Sequence, residues 1–570
     1  MNKKQIIKIL EQIALYLEIK GENSFKVSAY RRAAQALESD SRTIDEIGDI
    51  SQLKGIGKAT LSVIEEVMET GQSSLLIDLK EELPNGLLAL LNLQGLGGKK
   101  IAKLYHDLNV TDLQSLKEAC EQNKVQALQG FGNKTEEKIL ASIEEFGSRP
   151  ERLPIAMMLP VAEVIEAQLA NIDQIDQFSR AGSLRRLSET IKDIDFIIST
   201  KSPEQVAESL MQLENVTDSI AAGTTKVSLV VTYDYDISVD FRLVKPDEFA
   251  TTLHHFTGSK EHNVKLRQIA KQRSEKISEY GVEKTETGEV KTFGNEGDFF
   301  AHFGLNYIPP QLRSGQEELD RFQQTVAILQ RHDIQSDLHM HTTWSDGANS
   351  IEEMAGAARG MGYSYVVITD HSQFLRVANG LTPEQIRNQR KEIERVNEKW
   401  DDFTILSGIE MDILPDGSLD YEDSLLAELD FVIASIHSSF SQDEATIMKR
   451  LDAALNNPHV DMIAHPTGRL LGRRKGYAVN IEKLIDKAAE TKTALELNAN
   501  PNRLDLAPEW LEIAQNKGVK IAINTDAHVR DTLDHMDIGV GVAQKAFLKK
   551  ENVINTYNLK DFRAFLARGQ

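Results

Sequence analysis

The chain has 570 residues, 41% of them hydrophobic, and a formal net charge of -22. That length supports about three to five globular domains. No apolar run approaches the roughly 20 residues that span a bilayer, and MNKKQIIKILEQIALYLEIKGEN has the spacing of an amphipathic helix with no cleavage site, so the expectation is a cytoplasmic protein without a membrane partner. Cys120 is the only cysteine, which excludes an internal disulfide and a cysteine-based zinc site. The acidic balance excludes nucleic-acid binding through overall charge, leaving local basic patches, helix N-termini or metal ions for any phosphate contact.

The first 150 residues read as helical and repeat one pattern. LKGIGKATLSVI (53–64), LQGLGGKKIAKLY (93–105) and LQGFGNKTEEKIL (128–140) each join an apolar residue, a Gly-x-Gly turn and a helix-forming run. The pairs Gly55 and Gly57, Gly95 and Gly97, and Gly130 and Gly132 allow a tight turn whose N–H groups point outward at a helix start, a cradle for phosphate. One such pair could simply join packed helices; three with matching flanks argue for a shared function. No strand leads into the turns and no third glycine completes a dinucleotide fingerprint, and a Walker loop would need a terminal Gly-Lys-Ser/Thr. The pattern resembles the helix-hairpin-helix motif, which grips the DNA backbone without reading sequence.

After RPERLPIAMMLP, β-rich runs appear, DIDFIIST and KVSLVVTYDYDISVDFRLV. Asp193 and Asp195 lie two apart at the start of a strand-like run, so both side chains emerge on one face, and their repulsion calls for a cation. Asp240, which interrupts ISVDFRLV, is the best third carboxylate; Asp234 and Asp236 read as turn residues. Three converging carboxylates suit two hard cations. A bare Asp-x-Asp is more often a pair of solvated strand-end acids, but upstream RAGSLRRLSETIKDID offers Gly182, Ser183 and Arg186 to a triphosphate.

The G-S-x-R-R segment, the D-x-D, the later single Asp and HFTGSKEHNVKLRQIA (255–270) together resemble the palm and thumb of the X family of DNA polymerases. The resemblance implies an α/β nucleotidyltransferase palm and thumb, with Asp193, Asp195 and Asp240 holding two Mg2+ (or Mn2+) and Ser183 and Arg186 the incoming deoxynucleoside triphosphate. Phe256 and Gly258 would line the sugar pocket, and Asn263 and Arg267 would face the nascent base pair and template. FGLNYIPPQLR (303–313) is similar to the end of the bacterial branch's thumb. FKVSAYRRAA is similar to the family's lyase domain, with Lys26 at a phosphate-contact position, but Val63 occupies the place of the Schiff-base lysine, so no lyase activity is assigned, although Lys58 is near. His255 stands where the animal repair enzyme has a tyrosine, which bears on ribonucleotide discrimination.

RSGQEELDRFQQTVAILQRHDIQ reads as a polar helical connector, followed by seven strand-like runs that end in polar residues and mostly alternate with helical segments. Such alternation implies parallel strands whose C-terminal ends meet on one rim. There the sequence collects His339, His341, Asp346, His371, Glu410, His437, His465, Asp526 and His528. Six imidazoles and three carboxylates suit manganese, zinc or iron better than magnesium, and at three or four ligands each imply about three ions. The H-x-H, T-D-H and D-x-H signatures resemble the polymerase-and-histidinol-phosphatase (PHP) family of metal phosphoesterases, which implies a distorted (β/α)7 barrel with a site for about three Mn2+ or Zn2+. Arg469, Arg473, Arg474 and Lys475, just after His465, are candidates for gripping substrate phosphate.

The expected organisation is a helical lyase-like domain at 1–85, fingers with two further helix-hairpin-helix motifs at 86–150, palm at 151–245, thumb at 246–315, linker at 316–334 and PHP barrel at 335–570. This order is similar to that of bacterial family X polymerases. It implies a monomer acting on gapped or nicked double-stranded DNA, filling short gaps in repair. The barrel would be a metal-dependent 3'-5' exonuclease, with abasic-site cleavage or 3'-end trimming as further options. The rival expectations are a phosphatase on a small phosphate ester with an N-terminal DNA-binding module, and a non-catalytic scaffold bridging DNA ends.

Overall fold

The computed structural model describes residues 3–39, 44–47, 49–84, 86–87, 90, 93, 96–146, 151–233 and 235–567. Gly95 and Asp234 lie outside the described residues. The chain divides into two compact units, Met1–Pro150 and Glu151–Gln570.

The first unit is helical. Ile6, Leu10, Ile13 and Leu17 recur every three or four residues along Lys3–Lys20, which gives one buried apolar stripe; Val27, Tyr30, Ala34 and Leu37 do the same on Ser24–Ser39. Helices Lys58–Thr70, Gly98–Leu108 and Asn133–Phe146 start directly after the three Gly-x-Gly turns. Among the described residues no helix is long and apolar enough to cross a membrane.

The second unit begins with a five-stranded sheet in the order Gln177–Arg180, Ile194–Ser199, Asp236–Val244, Lys226–Thr232, Val216–Ala222. The second and third of these run parallel and the other neighbours antiparallel. Alternation along Ile194–Ser199 sends Phe196 and Ile198 into the core formed with helix Ile155–Leu169, while Ile197 packs beside Leu253 of helix Phe249–Thr257. The thumb adds helices Lys260–Gln272 and Glu296–His302 and a small three-stranded sheet around Phe293, Phe299, Phe300 and Phe303.

The connector departs from its helical expectation. Only Glu318–Arg321 is α-helical, followed by a single 3-10 turn at Arg331–Asp333. Its few apolar residues decide the outcome, because Leu319 and Phe322 are buried in the thumb core and Leu329 in the core of the palm and barrel. Beyond it, seven parallel strands pair in chain order: Ser336–Asp337, Tyr365–Ile368, Thr404–Asp412, Phe431–Ser435, Met462–Ile463, Ala494–Asn498 and Ile521–Asn524. A bridge between Met340 and Ala527 nearly closes the ring. The last helix, Leu559–Leu566, buries Phe562 against Tyr365 and Phe431.

Candidate active sites

In the palm, strand pairing sets Asp195 directly opposite Asp240, and Asp193 lies two residues earlier, just before the strand. Parallel pairing in register puts the two carboxylates on one face of the sheet. Burial, and then the charges of Asp193 and Asp240, push the Asp195 carboxyl up to about 7. Asp240 accepts from Ser228 Oγ at 2.6 Å and pairs with Lys226 Nζ at 2.8 Å. Neither partner was among the sequence candidates; their signal is their register, since Ser228 sits opposite Asp240. A buried carboxylate flanked by like charges fits a divalent cation pair.

Gly182 adopts φ +62, and a Cβ there would meet Asp195 Oδ2 at 2.1 Å, so the turn that starts Gly182–Arg185 can rest on the acid cluster only as glycine. Arg186 donates to the Thr257 carbonyl at 2.7 Å, tying the turn to the thumb. The neighbouring Arg185 is committed instead to Glu296, which also binds the buried Arg313. A cavity of about 380 Å³ opens beside Arg186, with Ser188, Ser314, Arg321 and Lys545 among its walls. Phe256 lies under the Arg242 guanidinium at 4.7 Å, and Asn263 donates to the His255 and Gly258 carbonyls. Arg267 is exposed one helical turn further on, its Nε donating to the Asn263 carbonyl.

On the barrel rim all nine sequence candidates converge. Three overlapping groups place possible ligand atoms within 4.8 Å of one another: His341, Asp346, His371 and His528; His339, His341 and Asp526; His371, Glu410 and His437. His465 joins them through Glu410, at 3.0 Å. Glu410 is the hub, with His371 at 2.9 Å, His437 at 3.3 Å and His339 at 3.4 Å. Burial alone would raise the carboxyls, but the surrounding imidazoles hold Glu410 and Asp526 well below the usual range. Burial likewise opposes protonation of His437, yet Glu410 and Asp412 raise it to about 10; buried His341, beside His371 and His528, falls to about 3. Glu410 Oε2 and His371 Nδ1 face one another at 2.9 Å without hydrogen-bond geometry, and His341 Nδ1 is buried with no hydrogen-bond partner. Unsatisfied N and O donors converging in this way fit a cluster of borderline cations.

Sequence reasoning missed the groups that aim these side chains. Glu496, on the sixth strand, takes His339 Nδ1 at 2.7 Å and the His465 N–H at 2.7 Å. Asp370 accepts from Thr342 and Ser345 and so fixes the turn that carries Asp346, while Asp412 lies 3.3 Å from His437 Nδ1 and Arg503 3.3 Å from Asp526. A carboxylate within an apolar strand run was the available signal for Glu496.

The proposed DNA contacts divide. Gly57 and Gly97 cap their helices and the Gly132 carbonyl accepts from Thr135 N–H, with open space around all three glycines; Gly55 and Gly130 adopt φ of +117 and +94. Lys26 is exposed and pairs with Glu22, Lys58 is exposed, and Val63 is buried in the helical core. Of the four basic residues in the loop after His465, Arg473 and Lys475 are exposed. Arg474 covers Phe440, and Arg469 turns into the palm, pairing with Glu189 and donating to the Arg503 and Leu504 carbonyls.

The fold joins helix-hairpin-helix turns, a polymerase-type thumb and a parallel PHP-type barrel, which is the class of a polymerase coupled to a metal phosphoesterase. Residues 1–73 match a helix-hairpin-helix domain model, 87–145 a SAM-like helix-hairpin-helix tandem, 252–314 the DNA polymerase beta thumb and 337–526 the PHP domain. Over 568 residues the chain is 57% identical to the DNA polymerase/3'-5' exonuclease PolX of Bacillus subtilis strain 168, covering 100% of both chains. It therefore belongs to the PolX family. Weaker likenesses are confined to part of the chain: 30% identity over 188 residues to a probable phosphatase of Clostridium acetobutylicum, covering 31% of this chain and 74% of that one, and 29% over 231 residues to one of Caldanaerobacter subterraneus, covering 39% and 86%.

Proposed function

We propose that the chain fills short gaps in DNA as a DNA-directed polymerase and trims 3' ends as a 3'-5' exonuclease, each activity at its own site. The observation that carries this reading is the presence of two side-chain clusters in one chain: Asp193, Asp195 and Asp240 beside the Gly182 turn, and the nine converging imidazoles and carboxylates of the barrel rim. The relative that matches from end to end bears both activities in its name.

In the palm, Asp193, Asp195 and Asp240 would hold two Mg2+ or Mn2+, with Ser183 and Arg186 on the triphosphate and Phe256 and Gly258 against the sugar. On the rim, the nine ligands would hold about three Mn2+ or Zn2+. Divalent cations at these sites supply the Lewis-acid charge that phosphoryl transfer needs. Glu496 fixes the tautomer of His339 by accepting from Nδ1, which leaves Nε2 facing Glu410 and Asp526. Asp346 and His528, the most exposed ligands, form the open side through which a strand end would enter. The helix-hairpin-helix turns would hold the duplex backbone through their N–H groups.

The partial likeness to probable phosphatases favours one rival, a barrel that hydrolyses a small phosphate ester. Both readings meet in one comparison: a one-nucleotide-gapped duplex with deoxynucleotides, a 5'-labelled strand without them, and a small phosphomonoester, each with manganese. Extension and stepwise shortening with slow ester hydrolysis are expected. Ester turnover with neither DNA reaction would overthrow the proposal.

A further inference from the structure

The palm turn that follows the nucleotide segment is held by the barrel. Leu187 sits in the left-handed region at φ +53, and the Ser188 N–H closes the turn onto the Ser183 carbonyl. A branched side chain rarely adopts that backbone unless its surroundings hold it there. Those surroundings come from the barrel helix Met536–Lys545. Lys545 Nζ donates to the Leu187 carbonyl at 2.5 Å, and Gly541, four residues earlier and thus on the same helical face, leaves the space that the Leu187 side chain fills. A Cβ at Gly541 would stand 2.3 Å from Leu187 Cδ1. Glycine weakens a helix interior, so close packing explains its presence there. From another part of the barrel, Arg469 pairs with Glu189 at 2.7 Å, and Gly472 seats Pro154, next to Ile155, whose N–H bonds the Glu189 carbonyl.

We propose that the barrel is a positioning element of the polymerase site: Gly541 and Lys545 hold the Arg186–Glu189 turn so that Ser183 and Arg186 are aimed at the nucleotide triphosphate. The inference rests on the assignment of Ser183 and Arg186 to that triphosphate. In this proposal neither Gly541 nor Lys545 binds substrate. Both act through Leu187, so their loss weakens nucleotide binding and spares the chemistry of each site.

The test uses the full chain, with steady-state insertion on a one-nucleotide-gapped duplex and shortening of a 5'-labelled single strand in manganese. Lys545→Met removes the donor to Leu187, and Gly541→Ala drives a methyl against its side chain, so the turn is disturbed by two independent routes. Each variant is expected to raise KM for the deoxynucleotide about tenfold, with kcat within about threefold and shortening unchanged. Unchanged KM in both overturns the proposal, as does a parallel loss of extension, shortening and melting temperature, which would mark a purely structural seam. Arg186→Ala is measured alongside. If it leaves KM unchanged, the triphosphate assignment fails and the positioning role with it; if it raises KM while both barrel variants are neutral, only the positioning role fails.

Discussion

In the palm, Asp195 stands opposite Asp240 and two residues from Asp193, and burial with like charge pushes it up to about 7. On the barrel rim, Glu410 and Asp526 are more deeply buried yet held well below the usual carboxylate range, because imidazoles surround them. An acid-only donor set cannot neutralise itself and leans on a cation or a proton; a mixed set of imidazoles and carboxylates is compensated before any ion arrives. By donor chemistry the oxygen cluster would suit hard cations and the mixed cluster borderline ones.

Removing a hub ligand should give the largest effect. Glu410→Ala, which takes away the neighbour of five imidazoles, is expected to lower strand shortening by at least about a thousandfold in initial-rate assays, with extension on gapped DNA within about twofold. Glu496→Gln keeps the shape but weakens the acceptor of His339; shortening should fall about 10- to 100-fold, together with manganese affinity measured by calorimetry.

The next effect has a sign that the contrast fixes. Asp195 holds its proton to higher pH when folded than its ordinary 3.8 allows when unfolded, so its own contribution to metal-free stability is most favourable at low pH and declines as pH climbs from about 4 to about 7. In chelator, Asp195→Asn should therefore raise the melting temperature by roughly 3 °C or more at pH 8 and by less at pH 5, while extension is lost. An equal gain at both pH values would mean that the palm acids are not in conflict. The smallest effect belongs to the exposed Arg473: its change to alanine should weaken DNA binding only a few-fold and reduce the salt slope by about one, read by anisotropy over a salt series.

The rim cluster was legible because its residues lie near or after the C-terminal ends of strand-like runs, where parallel topology gathers side chains from distant positions. Glu496 was passed over: its carboxylate interrupts the apolar run in TALELNAN, but nothing local tells that it faces His339 across the barrel. The palm acids were legible from a two-residue spacing, whereas Lys226 and Ser228 reach Asp240 through antiparallel pairing that a single sequence does not print. The connector was misread because its polar composition suits a helix, while Leu319, Phe322 and Leu329 are claimed by tertiary packing. The basic loop was read by charge alone, which gives no hint that Arg469 pairs with Glu189 of the palm.

The central claim is that two independent metal sites act on one DNA end. Its most direct test is a 5'-labelled primer on a one-nucleotide-gapped duplex in manganese, with wild type, Asp193→Ala and His339→Ala, each with and without deoxynucleotides. The two-site account predicts that Asp193→Ala abolishes extension and keeps shortening, and that His339→Ala does the reverse. Loss of both activities in either variant would contradict it.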